Sequence, residues 1–307
     1  MIEVLQAGPL TSVQDLGRQH FRDQGVALSG ATDPLSLRVG NMLLGNEISA
    51  AGIEWMFGNG KVKFVRDTWF VVTGAECFAQ LDQKPVMIGW RMMARAGQVL
   101  TLRTLKSGLC SYLCLEGGID VPVVLGSRST DLQSGFGGYA GRVLQKGDCI
   151  SLFHTESAIQ KSVGVLLPHN DGVIRVMEGP EESQFSPDAI HRFYSSPWRV
   201  KTESNRMGFR LDGPVLERMV SHELLSHGIL PGIIQVPPEG KPIIIGVDGQ
   251  TTGGYPRMAS VIASDLWKIG QLRPGTDILF RKVTPEEAKH AYQEQQFYLN
   301  KIHMGVV

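Results

Sequence analysis

The chain has no excess of either charge. Thirty lysine and arginine residues balance thirty aspartate and glutamate residues. Such neutrality leaves out the broad positive field that nucleic acid or an anionic membrane surface would select, so neither is expected as a partner. Long apolar runs are missing too. The longest candidate, 229–236, is broken by Pro231 and Gly232 and falls short of the roughly 18 residues of a membrane span. The N-terminal residues lack a basic stretch followed by an apolar one, so no secretion signal is expected and the reading is cytoplasmic. Cysteine is scarce: Cys77, Cys110, Cys114 and Cys149 form no CxxC pair and stand at no zinc-ligand spacing from a histidine. Reduced, packed thiols are the expectation. The few aromatic residues are scattered and offer no stacking platform for single-stranded nucleic acid.

Signatures of self-contained catalysis are absent as well. There is no GxxxxGK[ST] loop, no HExxH and no GxSxG elbow. The strings GFGG at 135–138 and GG at 253–254 do not lie between a clear strand and a clear helix, so neither reads as a dinucleotide fingerprint. His222 and His227 are five apart, which is not the i,i+3 or i,i+4 spacing of a helical metal pair. A hydrogen-bonded structural histidine is expected there, and no metal ligand set is.

What the chain does have is a core and many turns. It is 42% hydrophobic and 20% charged, enough to bury a globular interior. Thirty-six of its 307 residues are glycine, against a usual share of roughly 7%. Short β-branched or aromatic segments at 68–73, 99–105, 113–115, 173–178, 232–236 and 242–247 are separated by Gly, Pro, Asp or Asn and predict strands. Helices are expected over 33–44, where Asp33 caps and Pro34 opens the first turn, and briefly over 186–193 and 215–218. The clearest helix is 284–300, with Thr284 as cap, Pro285 next, and Glu286 and Glu287 complementing the dipole. A faint internal echo of strand, glycine-rich loop and closing strand, at 111–152 and again at 243–280, predicts two related units joined near 153–172. The expected fold is mainly β with a few short helices, built from two β-barrel-like units: an N-terminal β-rich unit over 1–160, a barrel over 170–283 and a helical extension over 284–307. No βαβα alternation supports a doubly wound sheet.

The densest polar stretch is DGQTTGGYPR at 248–257. Asp248, Gln250, Thr251, Thr252 and Tyr255 crowd around Gly253 and Gly254, a composition that can offer carboxylate, amide, hydroxyl and main-chain N–H groups to a small polar ligand. The same pattern fits a decorated hairpin loop. A second cluster holds Gln14, Asp15, Arg18 and Arg22, either a clamp for a carboxylate or phosphate or a surface turn with an internal Asp–Arg pair. Asp33, Arg38 and Asn41 share one segment, with Arg38 and Asn41 on one helix face. Glu54 stands alone among apolar neighbours, where it either pairs with an arginine or has a raised pKa. SNRMGFR at 204–210 and SRSTD at 127–131 again set arginines beside small polar residues.

Longer strings go further. GPLTSVQDLGR, SGATDPLSLRVGNMLLGN, YLCLEGGIDVPVVLGSRSTD, SNRMGFRL and GIIQVPPEGKPIIIGVDGQTTGGYPRMASVIASDLWKIGQLRPG resemble the biotin-dependent carboxyltransferase family, also called allophanate hydrolase subunit 2. The resemblance covers essentially residues 1–282, with nothing carried over to the segment beyond. It implies cyclophilin-like β-barrel units and a site completed with a companion chain. Stand-alone members of this length are similar to the C-type component of ATP-dependent 5-oxoprolinase, which opens 5-oxo-L-proline to L-glutamate. That enzyme works with a smaller B-type chain and a lactam-utilisation-type A chain. The implied cofactor is ATP with Mg. The alternatives are the carboxyltransferase part of a biotin-dependent urea or amide carboxylase, and a regulatory protein that binds a kinase inhibitor. A lactam carbonyl needs its oxygen activated and its carboxylate held, work suited to Arg, amide and backbone N–H groups. On residue type, Asp248, Arg206 and Gln250 are the candidate catalytic groups. The candidate substrate-binding groups are Gln14, Asp15, Arg18, Asp33, Arg38, Asn41, Glu54, Asn205, Gln235, Thr251, Thr252, Gly253, Gly254 and Tyr255.

Overall fold

A computed structural model describes residues 1–220 and 224–306 of the chain. His222 and Glu223 lie outside the described residues. The backbone groups into two compact units: Met1–Gln19 with Ser29–His169 and Phe297–Val307, and His20–Leu28 with Asn170–Gln296.

The first unit is a nine-stranded sheet. Its strands are β1 (Ile2–Gln6), β2 (Leu10–Gln14), β3 (Gly52–Met56), β4 (Gly60–Phe64), β5 (Thr68–Leu81), β6 (Lys84–Val86), β7 (Arg91–Ala94), β8 (Val99–Leu115) and β9 (Cys149–Ile150). The order runs β2-β3-β8-β4-β1-β9, with β5 pairing β6, β7 and β8. The segments expected separately at 99–105 and 113–115 are one strand, β8, which pairs along most of β5 through successive register shifts. At one of these bulges Gly74 has φ +88°, and a Cβ there would collide with the Cys110 carbonyl oxygen, so only glycine fits. Val4, Trp55, Phe64, Phe70, Leu100 and Leu113 are among the fully buried side chains of its core. Each contributes about 1.5–3 kcal/mol by leaving water. Helix α1 (Pro34–Leu43) begins where expected, with Asp33 Oδ1 accepting from Ser36 N at 2.9 Å.

The second unit is a closed seven-stranded barrel. It uses β10 (Val173–Glu178), β11 (Trp198–Val200), β12 (Gly208–Asp212), β14 (Ile233–Gln235), β15 (Ile243–Ile245), β17 (Arg257–Val261) and β18 (Asp277–Lys282). A separate two-stranded ribbon joins β13 (His227–Gly228) to β16 (Thr252–Gly253). All described strand pairs in both units are antiparallel except β10 with β18. Helix α2 (Pro187–Ser195) carries Phe193, which stacks on Phe280 of β18 at 4.6 Å. Trp198 donates its indole N–H to the Phe193 carbonyl at 3.0 Å. Helix α3 (Leu266–Ile269) follows β17.

The helix expected over 215–218 is not formed. Its backbone donors and acceptors go elsewhere: Leu216 N to Gly240 O, and Glu217 O to Ser186 N. Arg218 forms a bridge with Phe185. Met219 N, which would close an i,i−4 turn on Val215 O, donates to Gln184 O at 2.8 Å instead. The C-terminal helix α4 (Pro285–Val306) runs beyond the expected end. Its start is a capping box: Glu287 N donates to Thr284 Oγ1 at 3.2 Å, and Thr284 N to Glu287 Oε2 at 2.7 Å. Cys77, Cys110 and Cys114 are buried thiols, but Cys149, on the edge strand β9, is exposed. No described helix is long and apolar enough to cross a membrane.

Candidate functional site

In the first unit, Gln14, Asp15 and Arg18 cluster with the 127–131 loop, and Asp33 and Glu54 meet at Tyr112. Asp15 follows β2 and receives four donors: Gly17 N at 2.8 Å, Ser127 Oγ at 2.7 Å, Ser129 Oγ at 2.5 Å and Arg128 N at 2.6 Å. The carboxylate is thereby saturated, and the 127–131 loop is anchored on it. Gln14 donates to Ser12 Oγ and to the Thr130 carbonyl. Arg18 is fully buried, donates to the Ser129 carbonyl and stands over the Phe136 ring at 4.6 Å. Arg22 does not extend the anticipated clamp; it donates to Ile229 and Gln250.

A second network surrounds Glu54 on β3. Ser12 on β2 and Tyr112 on β8 are its direct cross-strand neighbours. Its Oε2 accepts from the Tyr112 hydroxyl at 2.6 Å, Thr32 N at 2.8 Å and Thr32 Oγ1 at 3.0 Å. Burial pushes the Tyr112 phenol well above its ordinary pKa, so it stays a donor. The same hydroxyl oxygen accepts from Asp33 N, while the Asp33 side chain caps α1. Asn41, expected beside Arg38 on one helix face, is fully buried and ties the Ala50 carbonyl at 2.7 Å. Arg38 is half-buried. Thr32, Tyr112, Ser127 and Ser129 were not among the expected site residues; each is an ordinary strand or loop residue until its long-range partner is known.

In the second unit the outcome differs. Asn205, Gln235, Gln250 and Tyr255 line one cleft of about 190 Å³, together with Met207, Arg210, Ile243 and Ile245. The cleft opens on β12, β14 and β15 of the barrel, and three amide side chains and one guanidinium stand on an apolar floor. Gln235 Nε2 donates to the Tyr255 carbonyl at 3.1 Å, which fixes the end of the 248–257 loop. Gly253 is buried between the two glutamines: a Cβ there would meet Gln235 Nε2 at 3.0 Å and Gln250 Nε2 at 3.2 Å. Thr252 and Gly253 form strand β16 and Thr251 O accepts from Ile229 N, so the loop is a ribbon rather than a free coil. Gly254 is half-buried beside Leu224. Of the remaining cleft residues, Met207 and Arg210 stand in the SNRMGFR string, whereas Ile243 and Ile245 carried no signal beyond strand propensity.

Arg206 and Asp248 do not line this cleft. Arg206 Nε and Nη2 donate to Asp248 Oδ2 at 2.7 Å and Oδ1 at 3.0 Å, and both side chains are almost wholly enclosed. Asp248 N also donates to the Arg206 carbonyl. The pair locks the turn before β12 to the turn after β15. His227 Nδ1 lies 3.2 Å from the Leu225 carbonyl, a structural contact. Among the described residues no group of three or more His, Cys, Asp or Glu side chains converges as a metal site.

An amide-lined cleft on a closed barrel, in a chain that also carries a second β-rich unit, is the setting in which kinship becomes informative. The chain belongs to the family described as carboxyltransferase domain, subdomain A and B, which matches residues 24–282. It is 44% identical to the C component of 5-oxoprolinase from Escherichia coli over 302 residues, 98% of this chain and 97% of that protein. The Haemophilus influenzae protein of the same name is 40% identical over 303 residues, again 98% and 97%. Among solved structures, Kluyveromyces lactis urea carboxylase superposes with a TM-score of 0.91 at 29% identity. That match covers all of this chain and 29% of the other.

Proposed function

We propose that this chain is the C-type component of an ATP-dependent 5-oxoprolinase, cleaving 5-oxo-L-proline to L-glutamate in the cytoplasm with B-type and A-type partner chains. The observation that carries this reading is end-to-end likeness to the E. coli 5-oxoprolinase component at 44% identity. The cleft chemistry supports it. 5-Oxoproline is a compact lactam with one carboxylate. Amide side chains such as Asn205, Gln235 and Gln250 can pair with both the N–H and the C=O of a lactam edge. Arg210 supplies the planar fork that suits a carboxylate. In this reading Gln250 touches the substrate, and Arg206 and Asp248 hold the walls that present it.

The described residues of this chain do not fit a magnesium–ATP site. The buried carboxylates Asp15, Glu54 and Asp248 already receive protein donors, and no acidic cluster converges among the described residues. The nucleotide therefore belongs, in this proposal, to a partner chain, and activation of the carbonyl oxygen is not assigned to these residues. This chain's part is to bind and orient the lactam.

Co-expression with B-like and A-like proteins, followed by measurement of glutamate formed from 5-oxoproline and ATP, tests the proposal. Turnover only in the full mixture is expected. A second reading, a carboxyltransferase component for urea or a related amide, is favoured by the fold likeness to urea carboxylase. Biotin's cyclic urea presents the same N–H and C=O edge to Gln235 and Gln250, so the cleft residues fit its head group. Biotin-dependent carboxylation of urea with no glutamate formed would replace the first reading by the second. Tight partner binding with neither activity would point to a regulatory protein.

A further inference from the structure

His20–Leu28 groups with the second unit although it precedes most of the first in the chain. It folds as a single 3-10 turn, Arg22–Gln24, closed by Gly25 at φ +81°. From that turn Arg22 Nη2 donates to the Ile229 carbonyl at 2.7 Å and the Gln250 carbonyl at 3.0 Å. Those two carbonyls belong to opposite sides of the β13–β16 ribbon, beside the pairs His227–Gly253 and Gly228–Thr252 and the bond from Ile229 N to Thr251 O. A two-residue ribbon outside the barrel ladder is not stable by itself. One guanidinium nitrogen with two hydrogens, one for each side, closes it at the end where Gln250 enters the cleft. The remaining nitrogens, Nε and Nη1, are enclosed with no acceptor among the described residues. Burial also pulls the Arg22 pKa below its ordinary value. A residue chosen only for stability would not keep two enclosed donors unmet.

We propose that Arg22 is a positioning residue for the cleft: by stapling Ile229 to Gln250 it sets where Gln250 and Tyr255 stand relative to Gln235 on the barrel. It touches no substrate. Its effect on turnover rests on the function proposed above, whereas its effect on the ribbon does not.

Hydrogen exchange on the full chain, comparing wild type with Arg22→Ala and Arg22→Lys, reads the ribbon directly. In Arg22→Ala the Ile229 and Gly253 amides should exchange at least tenfold faster, on the order of the loss of one charge-assisted hydrogen bond. Amides of β10 and β18 should be unchanged. Arg22→Lys, which keeps a charge and several donors, should recover part of the protection. In an active reconstituted complex, Arg22→Ala should lower kcat/KM on the order of 30-fold, mostly through KM. Unchanged ribbon exchange overturns the proposal, as does acceleration spread equally over the barrel strands. So does a loosened ribbon with unaltered KM in an active complex. If the wild-type mixture forms no glutamate, the functional reading fails, and the exchange pattern still decides the role of Arg22.

Discussion

Truncating Asp248 to alanine removes the two hydrogen bonds its carboxylate accepts from the Arg206 guanidinium, from Nε at 2.7 Å and from Nη2 at 3.0 Å. The two side chains are only 4% and 6% exposed, so little water can replace the lost carboxylate. Removing one partner of a buried pair costs about 3–5 kcal/mol, because an enclosed guanidinium loses a carboxylate that water cannot replace. For a chain of this size that corresponds to a fall in melting temperature of roughly 10 °C. The same argument makes an opposite prediction for removing both charges. In the double substitution Arg206→Met with Asp248→Leu both charges of the pair are removed together, and a buried pair replaced by apolar groups of similar volume is about neutral, within ~1–2 kcal/mol. The double variant should therefore melt well above the single one. Urea unfolding of the wild type, both single variants and the double variant, read alongside exchange protection of β12 and β15, completes the cycle. An Asp248→Ala variant within ~1 kcal/mol of wild type would falsify the reasoning, and so would a double variant no more stable than Asp248→Ala.

Three further outcomes can be checked separately. Gly40 lies inside α1, where alanine would ordinarily gain up to ~1 kcal/mol of helix propensity, but its Cβ would stand 2.5 Å from Cys114 Sγ. Gly40→Ala should instead lose about 1–3 kcal/mol by overpacking in a thermal melt. Burial pushes the Cys77 and Cys114 thiols up to about 11 and about 12 and Cys110 well above its ordinary value. A thiol reagent at about pH 8 should modify Cys149 alone in the native protein and all four cysteines in denaturant. Arg257 holds the Glu181 carboxyl below the usual range through its side chain and backbone N–H. That contribution is full above the ordinary carboxylate pKa and is lost as pH falls through the lowered native value. Calorimetry from about pH 5 downward should show a falling melting temperature, less steep in Glu181→Gln.

What could be read in advance follows the range of the interaction. Helices α1 and α4 were legible because a cap is a local bond: Asp33 to Ser36, Thr284 to Glu287. The 215–218 segment was misread because its backbone partners, Ser186 and Gly240, stand far away in sequence. Strand β8 was read as two pieces because Ser107 and Gly108 look like a break. Ser107 pairs with Glu76 between the register shifts of β5, and the ladder resumes at Ser111 opposite Gly74. The 248–257 loop announced itself by polar density around glycines. Its division into a cleft-facing Gln250 and an enclosed Asp248 depends on Arg206, which no local pattern links to it.

The same distinction explains why polar composition by itself does not mark a ligand site. A buried polar side chain is tolerated only when its bonding capacity is met. Asp15, Glu54 and Asp248 meet theirs from protein donors reached across strands and loops. Composition alone cannot separate such a saturated group from one left open to a ligand, since both need the same atoms. Asn205, Gln235 and Gln250 differ in lining a common space, and that is a property of the closed barrel rather than of any string. Arg22 shows the extreme: its acceptors lie 207 and 228 residues away, and nothing about an arginine beside a phenylalanine predicts them. A ligand site in such a fold is found by asking which polar groups the structure leaves unsaturated, and then which distant residues keep those groups in place.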